Sequence, residues 1–200
     1  MRGGLVAAED RVMRVSGGIG RGQRLKAPTG SRVRPTSDKV KQALFNILGD
    51  RVPESRFLDL FAGAGGIGIE ALSRGAAQVV FVDASRDSLN VVKQNIELTG
   101  FGDHAQLVLS KTESFLKKPS EPFDIVFLDP PYADELQPLL ELVAKAGILA
   151  PDAVVVAEHF KKQASPEHAG ALIRYREAKY GDTMLAFYKD RGQGTAASGR

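Results

Sequence analysis

The segment FDIVFLDPPY, residues 123–132, places an acid, two prolines and an aromatic ring directly after a run of apolar residues. Asp129 accepts hydrogen bonds when it is ionised, and Pro130 and Pro131 have no backbone N–H, so mainly acceptors remain there. Such a cradle suits an NH2 group, and Tyr132 offers a face on which a flat ring can stack. We therefore predict that Asp129, Pro130 and Tyr132 hold the exocyclic amine of a nucleobase, which must be flipped out if it is paired.

A second chemical motif is the glycine-rich stretch DLFAGAGGIGIEALSRGA, which follows one predicted strand and opens a helix. Gly63, Gly65 and Gly68 form the pattern G-x-G-x-x-G, and Asp83 ends the next strand. Glycines allow close approach of the backbone to a ligand, and an acid at that strand end can bind the two hydroxyls of a ribose. The motif predicts a nucleotide-like cofactor.

The identity of that cofactor depends on Asp59, at the end of the first strand. A carboxylate there would repel the pyrophosphate of a dinucleotide. It would suit the ammonium or sulfonium group of S-adenosylmethionine, which carries the same adenosine without a phosphate. We therefore favour S-adenosylmethionine over NAD, and expect Asp59, Gly63, Gly65 and Asp83 to bind it.

Strands alternate with helices from residue 56 onward, and the continuous apolar strands indicate a parallel sheet covered on both faces. Strands are predicted at 56–61, 77–83, 105–110, 123–129 and 153–159, and helices at 66–74, 85–99, 112–117 and 134–146. The segment 171–190 predicts two further strands joined at YGDT. The predicted fold is α/β, a doubly wound Rossmann-like sheet with a terminal antiparallel hairpin, over residues 51–190.

The N-terminal segment is strongly basic. Residues 1–41 carry a net charge of +7, and the remaining 159 residues carry −4. Residues 11–50 are predicted to form a basic arm or hairpin followed by a helix that begins near Thr36 or Ser37, whereas residues 1–10 and 191–200 are expected to be disordered. The predicted phosphate contacts of the arm are Arg14, Arg21, Arg24 and Lys26.

The composition excludes several classes of protein. The chain has no cysteine, so disulfides, thiolate metal ligands and a cysteine nucleophile are ruled out. Its three histidines are scattered, so no metal site is expected. No apolar run is long enough for a membrane span and no signal sequence precedes the arm, so we expect a cytoplasmic protein. A monomer is the default expectation.

Taken together, the motifs resemble those of the RsmD-type family, the bacterial 16S rRNA guanine-N2 methyltransferases. The matching pieces are VSGGIGRGQRLKAP, RPTSDKVKQALFNIL, LDLFAGAGGIGIEALSRGA, FDIVFLDPPY and YGDT. The resemblance implies a class I S-adenosylmethionine-dependent fold with a small N-terminal extension that helps to hold RNA. It also implies methylation of guanine-966 of 16S rRNA, in a small-subunit assembly particle. By the same match, Arg34, Thr36 and Asp38 lie near the active site.

One position departs from the family pattern. Lys111 stands where an Asp or Asn usually contacts the adenine amine of the cofactor, and lysine cannot accept that hydrogen bond.

Three alternative functions stay open on the sequence: an adenine-N6 DNA methyltransferase, an NAD-dependent oxidoreductase, and a noncatalytic RNA-binding protein on the same scaffold. The first shares the DPPY motif but generally needs a target-recognition insertion, for which this chain has little length.

Overall fold

The computed structural model describes residues 13–27, 36–118, 120–131 and 135–193. Its strands are β1 (Arg56–Leu60), β2 (Gln78–Asp83), β3 (Ala105–Leu109), β4 (Phe123–Leu128), β5 (Leu149–Phe160), β6 (His168–Ala169), β7 (Leu172–Tyr180) and β8 (Thr183–Asp190). Its α-helices are α1 (Asp38–Leu48), α2 (Gly66–Ser73), α3 (Arg86–Thr99), α4 (Thr112–Phe115) and α5 (Leu136–Lys145). Residues 1–10 and most of the 191–200 tail, for which disorder was predicted, lie outside the described residues.

The strands form one sheet in the order β3-β2-β1-β4-β5-β8-β7-β6. The first five strands in that order are parallel, and β8, β7 and β6 are antiparallel to their neighbours. The doubly wound sheet with a terminal hairpin is confirmed, and the hairpin turns at Gly181, whose φ is 65°. The structure adds the short strand β6 and begins β5 four residues earlier than the apolar run predicts.

Side chains along each strand point alternately to the two faces of the sheet, and both faces are buried. The first face carries Phe57, Phe81 and Phe127, and it packs against α1, α2 and α3. The second face carries Leu58, Val126 and their neighbours, and it packs mainly against α5. Both faces are therefore buried, which explains why the central strands are mostly apolar.

The basic arm folds onto the first face. Arg14 and Arg24 form an antiparallel bridge, and the apolar side chains of Val15 and Leu25 join the same core cluster as the sheet. The hydroxyl of Ser37 accepts from the backbone N–H of Val40 and caps α1, so of the two predicted capping residues Ser37 does so. The arm and α1 thus cover the sheet, in addition to any role in binding.

A buried ionic cluster attaches the arm to α2. The Glu70 side chain is fully buried, and it accepts from the Ser16 backbone N–H at 2.7 Å and the Ser16 hydroxyl at 2.8 Å. The Arg74 Nε donates to Glu70 at 2.8 Å, and the buried Lys41 ammonium lies 3.5 Å from it. Lys41 also donates to the carbonyl of Arg14. One carboxylate therefore joins the arm, α1 and α2.

Gly68, the third glycine of the motif, serves packing. A Cβ there would lie 2.2 Å from a ring carbon of Phe81 on β2. We expect Gly68→Ala to lower the free energy of unfolding by about 1–2 kcal/mol, because overpacking outweighs the better helix propensity of alanine. Urea unfolding measures the difference. Gly102→Ala is the matched control, since a Cβ there meets no atom within 4 Å; equal stability of the two variants would contradict the packing role.

Candidate active site

The glycine turn lies between β1 and α2 and has an unusual backbone. Phe61, which directly follows β1, has a φ of 67°, a conformation that costs energy for a residue with a side chain. Gly63 and Gly65 follow with φ values of 54° and 79°. A Cβ at Gly63 would meet only one atom, 4.0 Å away, so the turn leaves space above its backbone. This open, strained turn is where a ligand can approach the main chain.

Asp83 fixes the turn from the neighbouring strand. Its Oδ2 accepts from the Gly63 N–H at 2.8 Å, and its Oδ1 accepts from the Ser85 N–H at 2.8 Å. The carboxylate is partly exposed at the end of β2. Each oxygen keeps a further lone pair, so the geometry is compatible with the predicted ribose contact and adds a structural role to it.

Asp59 is the buried acid beneath the turn. Its Oδ2 accepts from the N–H of Gly68 at 3.0 Å and so satisfies one of the free donors in the first turn of α2, which has no side-chain cap of its own. Burial, followed by the charges of Asp129 and Asp83, raises the pKa of Asp59 to about 8, although the Gly68 hydrogen bond opposes this. A carboxyl with such a pKa would be stabilised in its charged form by a cation.

Asp129 lies at the carboxyl end of β4, directly after the last paired residue. β4 pairs with β1, with Asp59 opposite Phe127, so the two predicted motifs meet at adjacent strand ends. Burial raises the pKa of Asp129 to about 7. Pro130 is buried beside it, whereas Tyr132 lies outside the described residues. The described part of the cradle therefore presents acceptors next to the glycine turn, as its composition predicts.

A fourth acid, Glu158, was missed by the sequence reasoning. It lies near the end of β5, is 8% exposed, and accepts from the Thr36 hydroxyl at 3.0 Å. Burial and the charge of Asp129 raise its pKa well above the usual range. The sequence carries a signal, because an acid follows the apolar run of β5 as Asp129 follows that of β4, but the run by itself predicts only a strand.

The basic residues predicted to bind phosphates have different surroundings. Arg14 pairs with Asp38 at 2.6 Å, so the structure brings two predicted residues into contact with each other. Lys26 Nζ donates to Gln94 on α3 at 2.8 Å. Arg21 and Arg24 are exposed on the hairpin, and Arg34 lies outside the described residues. Arg21 and Arg24 are thus well placed to meet an external anion.

Asn95 connects the arm to the glycine turn. It is fully buried on α3, and its amide donates to the carbonyls of Lys26 and Ala64 at 3.0 Å each. Its side-chain oxygen accepts from the Lys26 N–H at 2.7 Å. The backbone of the arm and that of the turn are therefore held by one side chain, so their positions are coupled.

The position of Lys111 explains little of how an adenine would be held. Lys111 is exposed immediately before α4, and the neighbouring Ser110 donates its N–H to the carbonyl of Asp83 at 3.1 Å.

Over the described ranges, no group of three or more acids and histidines could hold a metal ion. Nor does any helix in that part of the chain have the length and apolar character required to cross a membrane.

The site as described is rich in acceptors and poor in positive charge. Asp59, Asp83, Asp129 and Glu158 lie at the carboxyl ends of four adjacent strands, where folds of this type bind ligands. Within the described residues, no Lys, Arg or His forms an ion pair with any of the four. Such a site fits a cationic ligand next to an N–H donor, and it disfavours a pyrophosphate.

Comparison with known proteins agrees with this arrangement. A family model described as conserved hypothetical protein 95 matches residues 13–189. YlbH, a candidate rRNA methyltransferase of Bacillus subtilis, is 42% identical over 184 residues, which cover 90% of this chain and 100% of that protein. Ribosomal RNA small subunit methyltransferase D of Escherichia coli K12 is 33% identical over 183 residues, which cover 91% and 92% of the two chains.

Solved structures show the same fold. The candidate methyltransferase yhhF of Escherichia coli superposes with a TM-score of 0.80 at 33% identity, covering 90% of this chain and 98% of that one. The Thermus thermophilus protein TTHA0928 superposes with a TM-score of 0.76 at 33% identity, covering 88% and 98%. The predicted class I methyltransferase fold is confirmed. With relatives this similar over nearly their whole length, the chain belongs to the RsmD-type family of ribosomal RNA small-subunit methyltransferases.

Proposed function

We propose that this protein transfers a methyl group from S-adenosylmethionine to the exocyclic N2 of one guanine in 16S rRNA of the small ribosomal subunit. The observation that carries the proposal is the position of Asp129 and Pro130 at the end of β4, beside Asp59 and the glycine turn of β1. The names of the relatives support the ribosomal RNA substrate. By family resemblance the target is guanine-966.

The cofactor would lie over the glycine turn. Asp59 would face its cationic end, Asp83 its ribose, and the open backbone at Gly63 would allow close approach. When bound, S-adenosylmethionine supplies an electrophilic methyl group on a sulfonium. The protein's contribution is to hold that group in line with the amine and to exclude water, since positioning and electrostatics provide most of the rate.

The amine would be held by acceptors only. Its N–H groups would donate to the Asp129 carboxylate and to the carbonyl of Pro130, which draws the lone pair away from the ring and toward the methyl group. Asp129, as an acceptor of one of these N–H groups, would also be placed to receive the proton that the amine loses. Tyr132 would stack on the base and partly compensate for the few kcal/mol that flipping requires.

The RNA would be oriented by the basic hairpin. Arg21 and Arg24 are exposed there, and their contacts with phosphates would position the substrate without choosing its sequence. Because the hairpin also closes the core through Val15 and Leu25, its deletion is a poor test of this role. Charge reversal at Arg21 or Arg24 leaves the packing intact and is the better one.

The decisive experiment uses small ribosomal subunits that lack the modification. They are incubated with the protein and labelled S-adenosylmethionine, and the RNA is digested and analysed by mass spectrometry. We expect N2-methylguanosine at a single position. Protein-free 16S rRNA and adenine-containing duplex DNA are parallel substrates, so the assay also shows whether an assembled particle is required.

The outcomes are distinct. Label in N6-methyladenine of the DNA would favour the alternative adenine methyltransferase. Cofactor binding without label in any nucleic acid would contradict the proposed substrate while leaving the fold intact. Tight binding of NAD instead of S-adenosylmethionine would overturn the assignment of the cofactor.

The raised pKa of Asp59 predicts a pH dependence of cofactor binding. A cation stabilises the ionised carboxylate, so binding must release a proton when the pH is below about 8. We expect the affinity to rise with pH by up to about tenfold per unit between roughly pH 6 and 8 and then to level off. Isothermal titration calorimetry of cofactor binding, in buffers of different ionisation enthalpy, measures how many protons are released. Asp59→Asn should remove the release; an unchanged release in that variant would assign it to another group.

A further inference from the structure

Glu158 and Asp129 form a pair of acids on one face of the sheet. Leu128 of β4 pairs with Ala157 of β5, so each acid is the next residue along its strand. Ile125 and Phe127 place Asp129 on the first face by alternation, and Val154 and Val156 place Glu158 on that face as well. The charge of Asp129 contributes to the raised pKa of Glu158, which agrees with this proximity.

Little in the described structure compensates for these acids. Glu158 receives one hydrogen bond, from the Thr36 hydroxyl to Oε2, and Asp129 receives none from the residues described. Neither acid forms an ion pair with a described cation. A largely buried carboxyl with at most one donor is costly to ionise, so two acids kept together in this way indicate a ligand whose N–H groups stabilise their ionised forms.

The Watson–Crick edge of guanine brings such groups. It carries the donor N1–H directly beside the donor amine N2, whereas the amine of adenine stands beside N1 as an acceptor. We infer that Glu158 accepts the N1–H of the target guanine while Asp129 accepts its N2 amine, so that the pair selects guanine over a base that lacks the N1 proton. This inference rests on the proposed function and extends it to the choice of base.

Thr36 is a positioning residue in this arrangement. Its hydroxyl donates to Oε2 of Glu158 and leaves Oε1 for the base. The bond spans 122 residues of sequence and connects the segment before α1 to β5. The position of the discriminating carboxyl therefore depends on the arm side of the molecule, which is also the side proposed to hold RNA.

The test compares guanosine with 2-aminopurine riboside, which keeps the 2-amine but has an acceptor at N1. Each is placed by RNA ligation at the position that the mapping experiment identifies, and kcat/KM is measured for both substrates. For the wild type we expect a strong preference for guanosine. In Glu158→Gln the preference should fall roughly 10- to 100-fold, because a charge-assisted hydrogen bond is lost and the amide can donate to the new acceptor.

Two sets of variants control the comparison. Glu141→Gln changes a partly exposed acid on α5, on the other face of the sheet, and should keep the full preference. Thr36→Val should weaken the preference for guanosine because it removes the hydroxyl that donates to Glu158, whereas Thr36→Ser should keep that preference. These two variants test the inference even if Glu158→Gln folds poorly. Affinity for S-adenosylmethionine, measured by titration, should stay within about twofold of wild type in every variant that is folded.

The result distinguishes this inference from the proposed function. If Glu158→Gln slows methylation of guanosine and 2-aminopurine riboside by the same factor, Glu158 does not read N1–H and the inference is wrong, although guanine methylation stands. If the wild type methylates no guanine, the proposed function itself fails.

Discussion

Asp129→Ala is expected to lower kcat for RNA methylation by about 10³-fold or more, because it removes the acceptor that orients the amine and takes its proton. Cofactor binding should survive. The negative charge of Asp129 contributes to the raised pKa of Asp59, so its removal favours ionised Asp59, and this gain offsets the lost direct attraction between Asp129 and a cation. Steady-state kinetics with saturating cofactor and RNA give kcat, and isothermal titration calorimetry gives the affinity for the cofactor.

Asp124→Asn is the matched control for this prediction. Asp124 lies at the opposite end of β4, where it accepts from the backbone N–H of Arg56 at 2.8 Å, and an Asn oxygen can still accept there. We expect kcat close to that of wild type in Asp124→Asn. Wild-type turnover in Asp129→Ala would remove the amine cradle from the mechanism, whereas a parallel loss of cofactor affinity would assign Asp129 to the cofactor site.

The second large effect is expected at Glu70. Glu70→Ala should lower the free energy of unfolding by about 3–5 kcal/mol, because the Lys41 ammonium and the Ser16 N–H lose their buried partner. For a chain of this length that corresponds to a fall in Tm of roughly 6–20 °C. The arm should detach first, so hydrogen exchange near Ser16 should accelerate more than exchange in β5.

An exposed ion pair is the control for the buried cluster around Glu70. Glu121 also pairs with an arginine, Arg56, but its side chain is 76% exposed, so Glu121→Ala should cost less than about 1 kcal/mol. A double variant, Lys41→Met with Glu70→Leu, should recover much of the loss, because it also removes the buried Lys41 ammonium, which Glu70→Ala leaves with Asp38, 3.8 Å away, as its remaining described ionic partner. Similar stabilities of Glu70→Ala and Glu121→Ala would mean that the cluster contributes no more than a surface pair.

Local patterns predicted the elements and the two principal motifs because each depends on neighbours in the chain. Continuous apolar runs identified β1, β2 and β4, the glycines identified the turn, and Ser37 was one of two capping residues considered for α1. The convergence of Asp59 and Asp83 could be expected because acids at the carboxyl ends of parallel strands meet at one edge of the sheet. Their hydrogen bonds to Gly68 and Gly63 could not, since these depend on the path of the turn.

The sequence does not predict which distant segments contact one another. The sequence predicts an RNA contact for Arg14 but not its ion pair with Asp38, and it predicts a basic arm or hairpin but not that Val15 and Leu25 of this segment join the core. Glu158 was passed over because nothing near it in the chain shows that β5 lies beside β4 or that Thr36 reaches it across 122 residues. Strand neighbours are decided by packing of the whole sheet.

The sequence by itself determined the class of fold, the glycine turn and the acceptor-rich segment that follows β4, because periodicity, backbone freedom and acceptor chemistry are properties of short segments. Only the tertiary structure decided which acids share one face, which arginines stay exposed on the hairpin, and that Asn95 and Glu70 attach the arm to the turn and to α2. The physical reason is that burial and charge pairing depend on distances through space, which the order of residues along the chain does not specify.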